Sequence, residues 1–367
     1  MTTPVRAAVL HGVEQPFTFE DLVLDDIQPD EVLVKITSVG LCHTDLAVQH
    51  GHLPGAFPFV LGHEGAGTIT QVGAGVIGLE VGDAVALSFA ACGHCASCLS
   101  GRQAYCENFM RLNMAGVREN GTKTLKDADG KEVSGSFFGQ SSFATYSIAA
   151  AKNVVKLPEG SPVDISGPLG CGIQTGAGTV LNSLAVPAGA SVVVAGTGAV
   201  GLSGIMGAKV AGATTIIAVD IIDERLAFAR KLGATHTINS RNEDPVAKIQ
   251  EITGGGAQFA MDTTGVPQVI TSIITATTFG AKIALVGVPR PGSTIDLGLL
   301  SASGKTVVGA IEGDSIPQTF IPQLMALHLA GRFPFDQLVT KYKFEDIQQA
   351  IDDTTSGKSV KAILMMP

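Results

Sequence analysis

The sequence predicts an α/β protein in which a doubly wound parallel sheet is combined with a mostly-β region. Between about residues 173 and 314, short apolar runs alternate with segments of helical periodicity, as in a parallel sheet covered by helices. Residues 1–150 differ, because short β-rich runs such as EVLVKITSVG and AGTITQVGAG are separated there by glycine-containing turns. Beyond the α/β segment, PQTFIPQLMALHLAGRF is typical of a helix and GKSVKAILMMP of a closing strand.

The composition restricts the class of protein. The chain of 367 residues is long enough for two domains, and with 45% hydrophobic and 16% charged residues it can bury a large core. A net charge of −9 argues against a nucleic-acid partner, since phosphate binding needs a basic surface. No apolar window of membrane-spanning length stands out, and the start MTTPVRAAVLHGVEQ lacks the apolar core of a signal peptide. We therefore expect no membrane partner and a cytoplasmic location.

Four of the six cysteines lie in one stretch, CGHCASCLSGRQAYC, which spans residues 92–106. In a reducing compartment clustered thiols indicate metal ligands. Four thiolates would close a tetrahedral zinc site with no open position, so that this zinc would be structural. The predicted ligands are Cys92, Cys95, Cys98 and Cys106. Two strained disulfides or four free thiols are the alternatives. His94 is a further candidate ligand, although a surface role suits it better.

The other two cysteines lie in glycine-containing turns. Cys42 occurs in GLCHTD and Cys171 in GPLGCGIQTGAG, and between them VLGHEGAGTI contains His63 and Glu64. A catalytic zinc needs three protein ligands and one open position, which two sulfurs and one imidazole would supply. The residue types alone leave the question open, because a lone buried cysteine is commonly a small core residue and a lone histidine a hydrogen-bonded one.

The middle of the chain contains a dinucleotide-binding pattern. An apolar run at residues 192–194 is followed by a G-x-G-x-x-G turn, a helix-like segment, and a second apolar run that ends at Asp220. Gly196 allows the tight turn, Gly198 allows the backbone to approach a pyrophosphate, and Gly201 allows the helix to pack closely on the strand. Asp220 would accept hydrogen bonds from the ribose hydroxyls and repel a 2′-phosphate, which favours NAD over NADP.

The alternation of helices and strands continues after this motif. ERLAFARKLGA, DPVAKIQEIT and PQVITSIITATT have the apolar spacing of helices, whereas THTIN, AQFAMDTTG and GAKIALVGV are typical of strands. This order completes the doubly wound unit.

The chain resembles the zinc-containing medium-chain alcohol dehydrogenases over essentially its whole length, and among them the aryl-alcohol (benzyl alcohol) and geraniol dehydrogenase branch. The motifs that carry the resemblance are GLCHTD, LGHEGAG, the four-cysteine stretch, FFGQSSFATYS, GPLGCGIQTGAG, GTGAVG, LVGVP and SGKSVKAIL. The resemblance implies a mostly-β GroES-like catalytic domain of residues 1–172 and 315–367, with a structural-zinc lobe at about 92–106. A Rossmann NAD-binding domain of residues 173–314 is inserted into it.

The resemblance also implies roles for single residues. Cys42, His63 and Cys171 would hold the catalytic zinc, with Glu64 close to the metal. Thr44 would hydrogen-bond the alcohol and start removal of its proton, and Asp45 would orient the histidine ligand. Besides the glycine turn and Asp220, the cofactor contacts implied are His43, Thr175, Arg225, Val286 and Lys361. All six cysteines are then metal ligands, at two zinc ions per chain.

One position departs from the pattern of the mammalian liver enzymes. A histidine five residues after the first zinc ligand passes the proton to solvent there, and this chain has Ala47. His50 and His52 are nearby substitutes, although a solvated loop role suits each of them. Three aromatic residues are expected to line a pocket for planar, apolar alcohols, with a core role as the alternative: Phe89, Phe137 and Phe138.

The function expected from the resemblance is the interconversion of a primary alcohol, aromatic or allylic, and its aldehyde with NAD and zinc. A homodimer or homotetramer is expected. A dehydrogenase for a polyol, a short aliphatic alcohol or a glutathione adduct is an alternative within the same superfamily. A catalytically silent NAD-binding protein is a second alternative, which the presence of a complete set of zinc ligands argues against.

Overall fold

A computed structural model describes residues 3–367 and divides the chain into two compact units. The first unit comprises the chain up to Cys171 together with Ile316–Leu329 and Asp336–Pro367. The second unit comprises Gly172–Ser315 and Ala330–Phe335. The sequence placed the domain boundaries at residues 172/173 and 314/315, and the first two residues of its predicted 1–172 segment lie outside the described range.

The first part of the chain forms short strands and a few short helices. The strands are β1 (Thr3–Leu10), β2 (Thr18–Leu24), β3 (Glu31–Gly40), β4 (Phe59–Val60), β5 (Gly65–Val72), β6 (Ala84–Leu87), β7 (Leu125–Lys126), β8 (Glu132–Val133), β9 (Tyr146–Ala150) and β10 (Val154–Lys156). The helices are α1 (His43–Gln49), α2 (Ala96–Leu99), α3 (Phe109–Met114) and α4 (Val163–Ser166).

The second unit alternates strands and helices. Its strands are β11 (Ser191–Ala195), β12 (Thr215–Asp220), β13 (His236–Asn239), β14 (Ala257–Asp262), β15 (Thr277–Leu285) and β16 (Thr306–Gly309). Its helices are α5 (Gly172–Gly178), α6 (Ala199–Ala211), α7 (Asp223–Leu232), α8 (Pro245–Thr253), α9 (Pro267–Thr275) and α10 (Gly298–Ser301).

The chain then returns to the first unit. The returning elements are β17 (Val339–Lys343), β18 (Lys361–Met365), α11 (Pro317–Leu329) and α12 (Ile347–Thr355). Strand β18 lies between β3 and β17, and residues 361–364 of it are buried. The closing helix and closing strand expected from the sequence are both present.

Two sheets form the first unit. One has the strand order β4-β1-β2-β7-β8, and the other has the order β10-β6-β5-β3-β18-β17, with β9 paired to β3. Strand β3 is buried along nearly its whole length, which suits its apolar, β-branched sequence EVLVKITSVG. Leucine, valine and phenylalanine side chains from both sheets contribute to the core of this unit.

The second unit contains a parallel sheet in the order β13-β12-β11-β14-β15-β16. The order reverses between β11 and β14, which is the arrangement of a doubly wound fold. Helix α6 packs closely on α5, because a Cβ at Gly176 would lie 2.0 Å from the Val200 carbonyl oxygen. The predicted α/β fold class, with a Rossmann unit inserted in a mostly-β GroES-like unit, is confirmed.

Within residues 3–367, none of the helices combines the length and the apolar character needed to cross a bilayer.

Candidate active site

Three separated turns bring a cluster of metal-binding groups together in the first unit. One ligand atom from each of four residues lies within 4.8 Å of the others: Cys42, His63, Glu64 and Cys171. Cys42 is the N-cap of α1, His63 and Glu64 directly precede β5, and Cys171 follows a short 3₁₀ helix. The structure therefore brings together the three ligands expected for the catalytic zinc, and the Glu64 carboxylate lies beside them.

The carboxylate of Asp45 organises two of these groups. Its Oδ1 accepts hydrogen bonds from His63 Nδ1 at 3.0 Å and from the Gly62 amide at 3.1 Å. Its Oδ2 accepts the Cys42 amide at 3.0 Å, which closes a capping box at the start of α1. Because Nδ1 is occupied, the other ring nitrogen of His63 is the one that faces the cluster.

The donor set fits zinc. His63 Nε2 is buried and has no hydrogen-bond partner among the described residues, as expected of a nitrogen reserved for a metal. A hydrogen bond from Cys171 and the charge of His63 hold the pKa of the Cys42 thiol well below its usual value, despite burial. Two sulfurs and one imidazole nitrogen are a ligand set that zinc enzymes use with an open fourth position.

Glu64 forms a buried ion pair with Lys361. The Lys361 ammonium lies 2.7 Å from Glu64 Oε1 and 2.6 Å from Oε2, and it donates to the Leu41 carbonyl at 3.1 Å. Burial raises the pKa of the Glu64 carboxyl to about 7, although the lysine charge opposes this. A Cβ at Gly40 would lie 1.9 Å from Glu64 Oε2, so only glycine leaves room for this carboxylate. Lys361, which the resemblance assigns to the pyrophosphate, is thus engaged by Glu64 in this structure.

Aromatic rings pack on the imidazole of His63. Phe138 stacks on it with ring centroids 4.5 Å apart, and Phe137 meets it edge-on at 5.4 Å. Phe138 has φ of +51°, a left-handed conformation that is uncommon for an aromatic residue. Phe89 instead packs against Phe109, and all three predicted pocket residues are buried in the core of this unit.

Thr44 and the histidines proposed for proton transfer lie near α1. Thr44 Oγ1 is 3.7 Å from Cys42 Sγ. His50 is the C-cap of α1, and its Nδ1 lies 2.9 Å from a carboxylate oxygen of Glu14. The His52 ring is 6.3 Å from that of His50, and its side chain is exposed.

The four clustered cysteines form the second metal-binding group. Their ligand atoms all lie within 4.8 Å of one another, and none of them is in a disulfide. The Cys92–Cys98 and Cys95–Cys106 sulfur distances are 3.9 and 4.0 Å, close to the roughly 3.8 Å between two sulfurs on a tetrahedral zinc with Zn–S bonds of about 2.3 Å. The disulfide alternative is therefore excluded. His94 Nδ1 lies 3.1 Å from the Cys92 carbonyl oxygen, and His94 is not among the clustered ligands.

The glycine turn of the second unit has the conformation that a dinucleotide site requires. Gly196 has φ of +87°, and a Cβ at Gly201 would lie 1.8 Å from the Gly196 carbonyl oxygen. Gly198 is the N-cap of α6, and a Cβ there would meet no atom within 4 Å, which leaves open space above the turn. This arrangement fits a pyrophosphate at the helix N-terminus.

Asp220 is the last residue of β12, and its carboxylate is hydrogen-bonded to the glycine turn. Its Oδ2 accepts hydrogen bonds from Thr197 Oγ1 at 2.6 Å and the Thr197 amide at 2.7 Å. Its Oδ1 accepts the amides of Ile221 and Ile222. Asp220 therefore shapes the glycine turn as well as being the predicted ribose ligand.

The remaining predicted cofactor residues lie on separate elements. In the second unit, Thr175 is on α5 with Oγ1 3.4 Å from Glu312 Oε2, and Val286 follows β15 and donates its amide to Asp262. Arg225 is on α7, and its Nε is buried without a hydrogen-bond partner in the described part of the chain. His43 is the first residue of α1 in the first unit.

Sequence reasoning missed two polar side chains that hold the ligand segments. Ser88 Oγ donates to the carbonyl of Gly170, next to Cys171, at 2.7 Å. Gln140 is hydrogen-bonded to the backbone on both sides of Glu64. For Gln140 the sequence signal was the polar run QSS between apolar residues in FFGQSSFATYS, which does not show the backbone that its side chain contacts, and Ser88 lies outside that run.

Comparison with known proteins gives consistent matches. The profile of the alcohol dehydrogenase GroES-like domain matches residues 28–159, and that of the zinc-binding dehydrogenases matches residues 199–330. A geraniol dehydrogenase of Castellaniella defragrans is 42% identical over 98% of this chain and 97% of its own. The crystal structure of benzyl alcohol dehydrogenase from Acinetobacter calcoaceticus superposes with a TM-score of 0.95 at 45% identity, over all of both chains. An alcohol dehydrogenase zinc-binding domain protein from Burkholderia ambifaria has a TM-score of 0.98 at 50% identity, again over all of both chains.

The fold, the two cysteine-containing clusters and the glycine turn define a zinc-containing, dinucleotide-dependent oxidoreductase. The chain belongs to the zinc-binding medium-chain alcohol dehydrogenases, in their aryl-alcohol and geraniol dehydrogenase branch. It is an NAD-dependent enzyme that interconverts an alcohol and its carbonyl compound, and it uses zinc.

Proposed function

We propose that the physiological substrates are primary alcohols with an aromatic or allylic group next to the carbinol carbon, and the matching aldehydes. The Phe138 ring stacked on His63 carries this proposal, because it places a flat apolar surface against a predicted zinc ligand. The relatives named geraniol dehydrogenase and benzyl alcohol dehydrogenase act, by their names, on an allylic and an aromatic alcohol.

Cys42, His63 and Cys171 are the proposed ligands of the catalytic zinc, and the four lobe cysteines are the proposed ligands of a structural zinc. Zinc bound at the first site supplies the Lewis acidity that lowers the pKa of an alcohol hydroxyl, and NAD accepts the hydride. Asp45 keeps His63 in the tautomer that leaves Nε2 free to bind the metal. Glu64 adds negative charge beside the site, which Lys361 balances.

Thr44 Oγ1 is the proposed acceptor for the hydroxyl proton of the substrate. It lies 3.7 Å from Cys42 Sγ, so a hydroxyl group bound beside the proposed zinc ligands would come within its reach. The position where the relay histidine is expected is Ala47 in this chain, and alanine cannot accept a proton from Thr44. His50 and His52 remain candidates for the next transfer, and His50 is bonded to Glu14.

The second unit carries most of the proposed NAD contacts, and His43 and Lys361 of the first unit are the others. The glycine turn receives the pyrophosphate at the start of α6, and Asp220 receives the adenosine ribose hydroxyls. Arg225 lies close to the same ribose, Thr175 and Val286 contact the carboxamide end, and His43 and Lys361 contact the pyrophosphate. These assignments come from the family resemblance. A cytoplasmic homodimer or homotetramer is proposed on the same ground.

A substrate panel tests the proposal. The initial rate of NAD reduction is measured with benzyl alcohol, geraniol, ethanol and sorbitol, and kcat/KM should be highest for the first two. Phe138→Leu should lower kcat/KM for benzyl alcohol more than for ethanol, whereas Phe344→Leu, at a fully buried ring that packs edge-on against Phe19, serves as a matched control. A preference for ethanol or sorbitol would refute the proposal and favour the aliphatic or polyol alternative. No NAD reduction with any alcohol would favour a silent NAD-binding protein.

A further inference from the structure

A buried amide side chain lies against the backbone that carries His63. Gln140 is 1% exposed. Its Nε2 donates to the His63 carbonyl at 2.9 Å, and its Oε1 accepts the Gly65 amide at 3.0 Å. One side chain thus holds the backbone on both sides of Glu64, from a position 75 residues further along the chain than Gly65.

The orientation of this amide is fixed by its partners. The Gly65 amide can only donate, so the oxygen of Gln140 must face it. Ser142 Oγ donates to the same oxygen at 2.7 Å, and the Ser142 side chain is completely buried. The Ser147 hydroxyl donates to the Gln140 carbonyl at 2.5 Å. Each polar atom of Gln140 in this network therefore has a partner.

The two segments are in direct contact along their length. The Ser142 amide donates to the Gly62 carbonyl at 2.7 Å, and the Phe143 amide donates to the Leu61 carbonyl at 3.0 Å. A Cβ at Gly65 would lie 2.2 Å from Ser142 Oγ, and one at Gly62 would lie 2.5 Å from Phe143 N. The two segments therefore pack too closely for a side chain at Gly62 or Gly65.

We infer that Gln140 is a positioning residue for the zinc ligand His63. The His63 ring is fixed at Nδ1 by Asp45 and on one face by Phe138, and Gln140 fixes the backbone from which the ring projects. Without Gln140 the His63 carbonyl and the Gly65 amide would be buried without partners, so this backbone would move and carry Nε2 with it. The inference rests on the proposed function in taking His63 as a ligand of the catalytic zinc.

The test measures the release of zinc from the holoenzyme to a chromogenic chelator, together with Tm. Gln140→Met keeps the length of the side chain and removes both backbone hydrogen bonds. Ser142→Ala keeps Gln140 and removes one of the two hydrogen bonds that its side-chain oxygen accepts, so that the amide is held less firmly. Asn113→Leu is the matched control, because Asn113 is a completely buried amide that bonds both the amide and the carbonyl of Ala90. The catalytic zinc is identified as the zinc that Cys42→Ala lacks.

We expect Gln140→Met to release the catalytic zinc about 10–100-fold faster than the unmodified enzyme, the usual cost of losing a residue that supports a metal ligand. Ser142→Ala should act in the same direction with a smaller effect. Asn113→Leu should lower Tm as Gln140→Met does, without accelerating release of the catalytic zinc.

Unchanged release in Gln140→Met, or equal acceleration in Asn113→Leu, would show that Gln140 only stabilises the fold. If Gln140→Met does not fold, Ser142→Ala decides, and an unchanged rate of release in that variant overturns the inference. An unmodified enzyme that holds a single zinc, unaffected by Cys42→Ala, would overturn the proposed function as well. The two failures are therefore distinguishable.

Discussion

Asp45 and His63 are joined by a 3.0 Å hydrogen bond between Oδ1 and Nδ1, and neither side chain is exposed to solvent. The same carboxylate accepts the backbone amides of Cys42 and Gly62. The Asp45 side chain thus fixes the ring of His63 and the backbone of Cys42, two predicted zinc ligands that lie on different turns of the chain.

Asp45→Asn should weaken binding of the catalytic zinc by about 10–100-fold. Both carboxylate oxygens of Asp45 accept hydrogen bonds from N–H groups, and the side-chain NH₂ of asparagine, itself a donor, would have to replace one of them. Zinc content after dialysis against graded chelator concentrations measures the effect. Asp164→Asn is a control at a partly exposed ion pair with Lys341, and it should leave zinc binding unchanged. Retention of both zinc ions by Asp45→Asn at every chelator concentration would contradict the prediction.

The unmodified protein should contain close to two zinc ions per chain by elemental analysis, one for each cysteine-containing cluster. Cys106→Ala should lose one zinc and mainly harm folding, because metal binding stabilises a lobe with little apolar core of its own. Cys42→Ala should also lose one zinc, but with loss of activity and little loss of folded protein. A fully active preparation with a single zinc per chain would refute the assignment.

Asp220→Ser should weaken NAD binding and reduce the discrimination against NADP, because it removes the carboxylate that repels a 2′-phosphate. Loss of hydrogen bonds to a charged group costs about 1.5–3 kcal/mol, or about 10–100-fold in the Kd for NAD. Thr197→Val is the control, since it removes one hydrogen bond to Asp220 and keeps the carboxylate. Thr197→Val should retain the NAD preference. Equal use of NAD and NADP by the unmodified enzyme would show the interpretation of Asp220 to be wrong.

Thr44→Val should lower the rate of alcohol oxidation by about 10²–10⁴-fold while both zinc ions and NAD remain bound, because valine keeps the shape and lacks the hydroxyl. Thr44→Ser should retain most of the activity. Steady-state kcat, zinc content and NAD binding distinguish this effect from unfolding.

The proton path beyond Thr44 can be followed in the same assay. If His52 takes the proton, His52→Gln should slow turnover and change the pH–rate profile, with His50→Gln as the matched control. If neither substitution changes the pH–rate profile, the proton leaves through the cofactor ribose or water.

Arg118 links two carboxylates of the first unit. Its Nε lies 2.8 Å from Glu31 and its Nη1 2.9 Å from Asp25, and the Arg118 and Glu31 side chains are buried. Arg118→Met should destabilise the protein by about 3–5 kcal/mol at neutral pH, because Glu31 is left buried without its partner. Urea unfolding measures the change. Lys341→Met, at the partly exposed pair with Asp164, should cost less than about 1 kcal/mol.

The same site predicts a pH dependence. Burial opposes ionisation of Asp25, but Arg118 outweighs it and holds the pKa of that carboxyl below its usual value. A depressed folded-state pKa gives stability that is present above the unfolded pKa of about 3.9 and is lost as pH falls through the folded value. Arg118→Met should therefore show a shallower loss of stability below about pH 4 than the unmodified protein. An equally steep loss in both would contradict the role of Asp25.

Local patterns predicted much of this fold. The apolar, β-branched run before Gly196 and the run that ends at Asp220 are strands because buried parallel strands need such sequences. Helix α9 ends at Thr275, whereas the apolar spacing of PQVITSIITATT suggested a helix over the whole segment. Thr277 begins β15 instead, where threonine, with its branched side chain, suits a strand.

The candidate site was harder to predict where contacts join distant segments. The cysteine spacing was sufficient to predict the structural-zinc site of the lobe, because its four ligands fall within fifteen residues. The hydrogen bonds of Gln140 and the pairing of Lys361 with Glu64 depend on how strands of the first unit are arranged, and no local pattern encodes that arrangement. The role of Lys361 at the cofactor stays a prediction.

The position of β18 has a consequence for synthesis on the ribosome. This strand joins β3 in the sheet of the first unit and carries Lys361, 297 residues after Glu64. At about 5–20 residues per second, roughly 15–60 s pass between the synthesis of Glu64 and that of Lys361. The whole second unit up to Ser315 is made in that interval and can fold first. The nascent first unit therefore has an open sheet edge at residues 38–40 of β3, where β18 pairs, for tens of seconds, the period in which chaperone binding or mispairing with another chain is favoured.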